Sequence, residues 1–258
     1  ASTSIGAKRP LWLHRRSHMG IRVPKEKTIP LSVRLAYLAN RLPRTSRTSR
    51  LSLLLDLEWM VNRLCHEESF ALFSEEEHPL RQATSGFIRS LLPSGAVVLD
   101  IGCGSGDLTV MLARSAVSVV GIDHDRDCIA VAQEKHRLSN VEFLVGEAEE
   151  CLASTDTKFN VVILSHVLEH LEDPALLLAQ VSSRCDFTYL EVPDFEYGPN
   201  NEYRRILGCS LNFSDVDHLY EFDREELETL LREADLEVLS TEHRLGMLRF
   251  WCRTRRLL

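Results

Sequence analysis

The sequence predicts an α/β sandwich of three layers, in which helices flank a mostly parallel seven-stranded sheet with one antiparallel strand at its side. Three observations carry this reading. Five short apolar runs alternate with amphipathic helical segments, a glycine turn follows directly on the first run, and two strand-like segments joined by a short turn close the chain.

The runs lie at 96–101, 117–122, 141–145, 159–164 and 187–192. Runs of this length separated by helices read as buried parallel strands in βαβ units. The closing segments, 237–243 and 247–253, flank Arg244-Leu245-Gly246 and read as a hairpin that supplies the antiparallel strand. Upstream, 31–40 and 51–64 carry apolar residues at helical spacing on either side of Leu42-Pro43-Arg44-Thr45-Ser46. Residues 79–92 form a further amphipathic helix, with Pro79 suited to its first turn and Pro93-Ser94-Gly95 ending it. The expected organisation is a basic leader over 1–30, a helical cap over 31–93 and the α/β domain over 94–258.

With 258 residues and 44% hydrophobic content, the chain can bury one full core with an N-terminal appendage. The seven cysteines, Cys65, Cys103, Cys128, Cys151, Cys185, Cys209 and Cys252, show no paired spacing. That fits reduced thiols and a cytoplasmic setting better than a zinc site or a disulfide framework. No apolar run approaches the roughly 20 residues of a membrane span. Residues 1–50 carry 12 Lys or Arg against one acid, Glu26, while the remaining 208 carry 18 against 37. The basic leader reads as partly disordered or as left from expression, since Ser17-His18-Met19-Gly20 matches a cloning-vector junction. The acidic body lacks the basic footprint of a nucleic-acid enzyme and favours a small-molecule partner. A monomer or homodimer is expected.

The most specific segment is Val97-Val98-Leu99-Asp100-Ile101-Gly102-Cys103-Gly104-Ser105-Gly106-Asp107, a strand entering a glycine turn that opens a helix. Glycines allow a ligand to approach the backbone closely and supply the angles of the turn. The G-x-G-x-G spacing differs from the G-x-G-x-x-G of dinucleotide enzymes. Asp100, just before the turn, would repel a pyrophosphate yet suit a cationic ligand, although it could equally orient the loop. The second strand ends at Asp123, where a carboxylate can accept both hydroxyls of a ribose. An adenosine bearing a positive tail satisfies both features.

The ordered series VLDIGCGSGD, VVGIDHD, VEFLVGEAEE and FNVVILSHVLEHLEDP resembles the motifs of class I S-adenosylmethionine (SAM)-dependent methyltransferases, over about residues 94–253. The resemblance implies a Rossmann-like fold with SAM as cofactor. It implies that Gly102, Gly104 and Gly106, with Cys103 between them, lie under the methionine and ribose parts, and that Asp123 holds the ribose. His124 would flank the adenine, Glu147 and Ala148 would form its rim, and Ser165 and His166 would stand beside the sulfonium. Cys103 can also be a small filler, and Glu147 a helix N-terminal acid.

The segment Tyr189-Leu190-Glu191-Val192-Pro193-Asp194, followed by Asp217-His218-Leu219-Tyr220-Glu221-Phe222, resembles the ubiquinone-type and sugar O-methyltransferases. In that subgroup the insertion, here about 194–222, forms part of the acceptor pocket, and Tyr197, Asn200, Asn201, Tyr203, Arg204 and Arg205 would offer it polar and aromatic contacts. A small polar acceptor such as a saccharide is expected. A hydroxyl acceptor gains from a base, for which His166 ranks first, then His170 and His218. Glu191, Asp194, Asp217 and the histidines could instead converge on a divalent cation, with Mg²⁺ favoured by so many carboxylates. An N-methyltransferase, an NAD(P)-dependent oxidoreductase and a non-catalytic cofactor-binding module are the alternatives; the oxidoreductase is opposed by the glycine spacing and the lack of a Tyr-x-x-x-Lys pair.

Overall fold

The computed structural model describes residues 46–154, 157–211, 214, 215 and 217–255, with backbone alone at 149, 153 and 154. The expected leader and the helix over 31–40 lie outside the described residues. The first described element is α1 (Arg47–Leu72), followed by α2 (Pro79–Leu91). Strands and helices then alternate: β1 (Val97–Ile101), α3 (Asp107–Ala113), β2 (Ser118–Asp123), α4 (Arg126–Lys135), β3 (Val141–Val145), α5 (Ala148–Ser154), β4 (Val161–Ser165), α6 (Pro174–Arg184) and β5 (Phe187–Pro193). After them come α7 (Pro199–Leu207), α8 (Arg224–Glu233), β6 (Leu236–Arg244) and β7 (Met247–Thr254).

The sheet runs β3-β2-β1-β4-β5-β7-β6. β1 to β5 are parallel, while β7 lies antiparallel between β5 and β6. The expected seven strands and single antiparallel strand are therefore present. Strand order reverses between β1 and β4, and in open α/β sheets the crevice outside the carboxyl ends at such a switch holds the ligand. Here those ends carry the glycine turn and Ser165-His166.

The central apolar runs are buried because both faces of the sheet are covered there, whereas the run at 141–145, expected to be buried, forms the edge strand β3 and leaves Leu144 and Val145 exposed. On one face Leu99, Ile101, Val162 and Leu164 pack with Leu177 and Leu178 of α6 and Leu227 and Leu231 of α8. On the other, Val98, Val161, Ile163 and Tyr189 pack with Ile88 of α2 and Leu112 of α3. Each fully buried aliphatic side chain contributes about 1.5–3 kcal/mol relative to an exposed one.

Two elements exceed the sequence expectation. α1 extends beyond 51–64 at both ends, since no Gly or Pro interrupts 45–72. The insertion contains α7, opened by Pro199 in its first turn and closed by Gly208 at φ 63°, a left-handed cap. The closing hairpin turns through Leu245 and Gly246 at φ 56° and 75°, a pair of left-handed angles that matches the twist of the two strands.

Candidate active site

Gly102 and Cys103 donate their N–H groups to the Ile122 carbonyl at 2.9 and 3.0 Å, which pins the glycine turn to the end of β2. Gly102, Gly104 and Gly106 all have positive φ, at 71°, 52° and 81°. Their other faces differ. A Cβ on Gly106 would stand 2.5 Å from the Phe143 ring, and one on Gly102 2.8 Å from Val167, whereas one on Gly104 would meet nothing within 4 Å. Gly106 and Gly102 are thus required by packing, and Gly104 leaves a surface open.

That surface bounds a cavity of about 270 Å³ lined by Gly102, Cys103, Gly104 and Ser105 of the turn, Ser165 at the end of β4 and His166 after it, and Phe70, Arg81 and Thr84 of the two N-terminal helices. Arg81 pairs with Asp107 at 2.8 Å and lies over the Phe70 ring. Asp123 accepts from the Gly104 N–H at 2.8 Å and from the Asp125 N–H at 2.9 Å, so its carboxylate ties the second strand end to the turn. Asp100 does not line the cavity. It is buried and accepts from Thr109 at 2.6 Å, and burial, opposed by that bond and aided by the charge of Asp123, pushes its pKa up to about 7.

A larger cavity of about 460 Å³ adjoins the first, and His166 lines both. Its walls come from α1 (Glu58, Trp59, Asn62, Arg63, His66), from the insertion (Tyr197, Asn200, Asn201, Arg204, His218) and from the hairpin tip (Gly246, Met247). Arg204 is almost fully buried. Its guanidinium donates to the Leu55 carbonyl at 2.7 Å and pairs with Glu58, so the insertion is locked to α1.

His166 sits at φ 58°, a left-handed angle that a non-glycine residue holds only where its surroundings enforce it. Those surroundings are two carboxylates, with Nδ1 3.1 Å from Glu169 and Nε2 3.3 Å from Glu191. Burial opposes the imidazolium, but the bonds and charges of Glu169 and Glu191 outweigh it and raise the pKa to about 10. With a carboxylate oxygen near each ring nitrogen, the geometry favours the doubly protonated ring, a form with no lone pair for the base role expected of this residue. Glu191 in turn accepts from Thr84 at 2.8 Å, from Arg249 Nε at 2.8 Å and from the Tyr189 hydroxyl. Despite its burial, these partners and His166 hold its pKa down at about 2.

The other expected residues fall as follows. His124 stands exposed next to Asp123, while Glu147 and Ala148 follow the end of β3, whose Val145 pairs with Asp123. None of the three lines either cavity. His170 and His218 meet edge-on at 4.8 Å, and His218 is held by Glu221 at 3.0 Å, which favours its protonated form against burial.

Of the carboxylates expected to hold Mg²⁺, Asp217 lies with Asp215 and His218, one donor atom of each within 4.8 Å of the others, and 3.6 Å from His170, whereas Glu191 and Asp194 are engaged elsewhere. Glu191 is saturated as described, and Asp194 pairs with Arg224 at 2.8 Å and accepts from the Glu196 N–H. Glu169, His170 and His218 do bring one donor atom each within 4.8 Å of one another, but two imidazoles and one carboxylate are unlike the oxygen shell of Mg²⁺. No step is derived through this ion. Sequence reasoning gave no site role to Arg81, Glu169, Arg249 or His66, since nothing local to them announces the contacts they make.

Among the described residues no helix is long and apolar enough to cross a membrane. In comparison with known proteins, residues 74–241 match the methyltransferase domain family. A ubiquinone biosynthesis O-methyltransferase of Xylella fastidiosa is 35% identical over 105 residues, 39% of this chain and 42% of that protein. One of Azorhizobium caulinodans is 42% identical over 93 residues, 35% of this chain and 36% of that protein. The matched stretch thus spans about two fifths of these relatives' length. Among solved structures, magnesium protoporphyrin IX methyltransferase of Synechocystis with bound SAH aligns over 87% of this chain and 95% of its own, with a TM-score of 0.54 and 16% identity. A SAM-dependent methyltransferase of Methanosarcina mazei aligns over 65% and 96%, with a TM-score of 0.51 and 20% identity. At such identities the structures speak for the fold, and the family match covers well over half of the sequence: the chain belongs to the methyltransferase domain family, with the class I, Rossmann-like fold of SAM-dependent methyltransferases.

Proposed function

We propose that this chain transfers the methyl group of SAM to a hydroxyl on the ring of a small polar acceptor. The observation that carries the reading is the pair of adjoining cavities, one floored by the glycine turn and one walled by polar and aromatic side chains, with His166 lining both. Methyl transfer needs the acceptor atom, the methyl carbon and the sulfur in line, and two compartments that meet at one point impose that order. The cofactor supplies the electrophilic methyl on a sulfonium.

The residues divide the work. Gly104 lets the cofactor lie against the turn, Asp123 offers its carboxylate to the ribose, and Arg81 is a cation suited to the carboxylate of the methionine end. On the acceptor side Trp59 and Tyr197 present faces on which a ring can stack, and Asn62, Asn200 and Asn201 offer hydrogen bonds to its substituents. An aromatic diol or a saccharide meets these demands. The named function of the Xylella and Azorhizobium relatives, ubiquinone biosynthesis O-methylation, supports a ring hydroxyl.

The test is transfer of label from methyl-labelled SAM to catechol, methyl glucoside and benzylamine. Label on either hydroxyl compound supports the reading. Label on the amine alone would replace it with N-methylation, and cofactor binding without transfer to any of the three would point to a non-catalytic module.

A further inference from the structure

The clamp on His166 leaves the hydroxyl acceptor without a proton acceptor at that position, and α1 supplies another. His66 lines the acceptor cavity. One turn further along the helix, Phe70 lines the cofactor cavity, and the two rings meet edge-on with centroids 4.9 Å apart. The seam between the cavities is therefore bounded by His166 on the sheet side and by the His66–Phe70 turn on the other. We propose that His66 is the general base of the reaction and that His166, held as an imidazolium between Glu169 and Glu191, is a positioning residue. This rests on the ring-hydroxyl reading given above.

The charges around the two histidines set them apart. His66 carries Arg63 and Glu67 on its own helix, and Asp215 and His166 act on it from the opposite elements. Burial lowers its pKa most, and the charges of Arg63 and His166 lower it further, against the weaker pull of Asp215 and Glu67. Arg63 is itself paired with Asp215 and Glu67, which takes much of those two carboxylates' field away from His66. One histidine is thus kept neutral and the other charged within one site, a division of environments that assigns acid–base roles.

In the step, the acceptor O–H bond breaks and its proton passes to the free ring nitrogen of His66. The oxygen lone pair forms the new O–CH₃ bond, and the S–CH₃ bond breaks with its electron pair remaining on sulfur. A neutral thioether, a methyl ether and a His66 imidazolium result. Bulk water takes the proton afterwards.

The experiment compares wild type, His66→Gln and His66→Phe with two probes: catechol, and 4-nitrocatechol, whose nitro group acidifies the hydroxyl so that it ionises without help. The expected kcat on catechol falls by about 10²–10⁴ in both variants, the span of a positioned base, while the kcat on 4-nitrocatechol falls by less than about tenfold. S-adenosylhomocysteine affinity stays at the wild-type value, which also reports an intact fold. NMR titration of the histidine rings gives an arm that needs no acceptor: His66 titrates below the ordinary 6.5. Equal losses on both probes, or a His66 ring charged at neutral pH, would overturn the proposal alone. A wild type that binds S-adenosylhomocysteine yet methylates neither probe nor methyl glucoside would overturn the ring-hydroxyl reading, and the base with it.

Discussion

Alanine at Gly106 and at Gly104 should damage different properties of the protein, although the two positions are two residues apart in one turn. At Gly106 the backbone is left-handed, φ 81°, which costs an alanine about 1–2 kcal/mol. Its Cβ would also stand 2.5 Å from the Phe143 ring and 3.2 Å from Ala132, with Phe143 itself buried. Overpacking of that kind adds about 1–3 kcal/mol. Gly106→Ala should therefore lower unfolding free energy by about 2–5 kcal/mol. At Gly104, φ 52°, the backbone penalty of about 1–2 kcal/mol remains, but no neighbour lies within 4 Å of the new methyl. The methyl occupies cavity space instead, so Gly104→Ala should weaken S-adenosylhomocysteine binding by at least about tenfold, or 1.4 kcal/mol. Urea unfolding and calorimetry on the two variants separate the effects. If Gly104→Ala binds as tightly as wild type, the turn is not the floor of the cofactor site, and if Gly106→Ala keeps full stability, the Phe143 contact is not rigid.

Three further outcomes follow from the same geometry. Glu191→Gln leaves Arg249 buried without its cross-strand carboxylate and should cost about 3–5 kcal/mol in urea unfolding, with a cost under 1 kcal/mol arguing that Glu242 alone holds the guanidinium. Because its pKa is raised, the stability His166 draws from its two carboxylates is full below 6.5 and fades as pH rises through about 10. The stability gap between wild type and His166→Gln should accordingly be wider at pH 7 than at pH 10.5, and a constant gap would contradict the ion pairing. Leu245→Asn, at an exposed turn position with φ 56°, should raise stability by about 1 kcal/mol, and a loss would show that Leu245 packs in a way its exposure hides.

The centre of the sheet was legible because β1, β4 and β5 are buried on both faces and read as short, mostly apolar runs, while the more exposed hairpin was legible from its turn. The glycine turn was legible because all three glycines adopt left-handed angles that the turn itself requires, so the G-x-G-x-G spacing is written in adjacent residues. α7 was not anticipated, although Pro199 and Gly208 bracket it, because its strongly polar surface conceals a single inward anchor, the Arg204 pairing to α1. The environment of His166 was not legible for a different reason. Its position after β4 follows from the sequence, but its protonation depends on Glu169 and Glu191, and the latter is fixed by Thr84 from 107 residues away and by Arg249 across the sheet. Charge state is a property of convergence, which spacing along a chain does not encode. His66 went unnoticed likewise, since a polar residue near the end of a helix looks like surface until the cavity beside it is known.

The central claim is that the cavity over the glycine turn is built for a phosphate-free, adenosine-bearing ligand with a positively charged donor tail. Isothermal calorimetry of this chain with S-adenosylhomocysteine and, separately, with NADH tests it most directly. The account predicts saturable one-to-one binding of S-adenosylhomocysteine, weakened by Asp123→Ala by about 1.5–3 kcal/mol, and no binding of NADH. Binding of NADH in its place, or S-adenosylhomocysteine binding indifferent to Asp123, would contradict it.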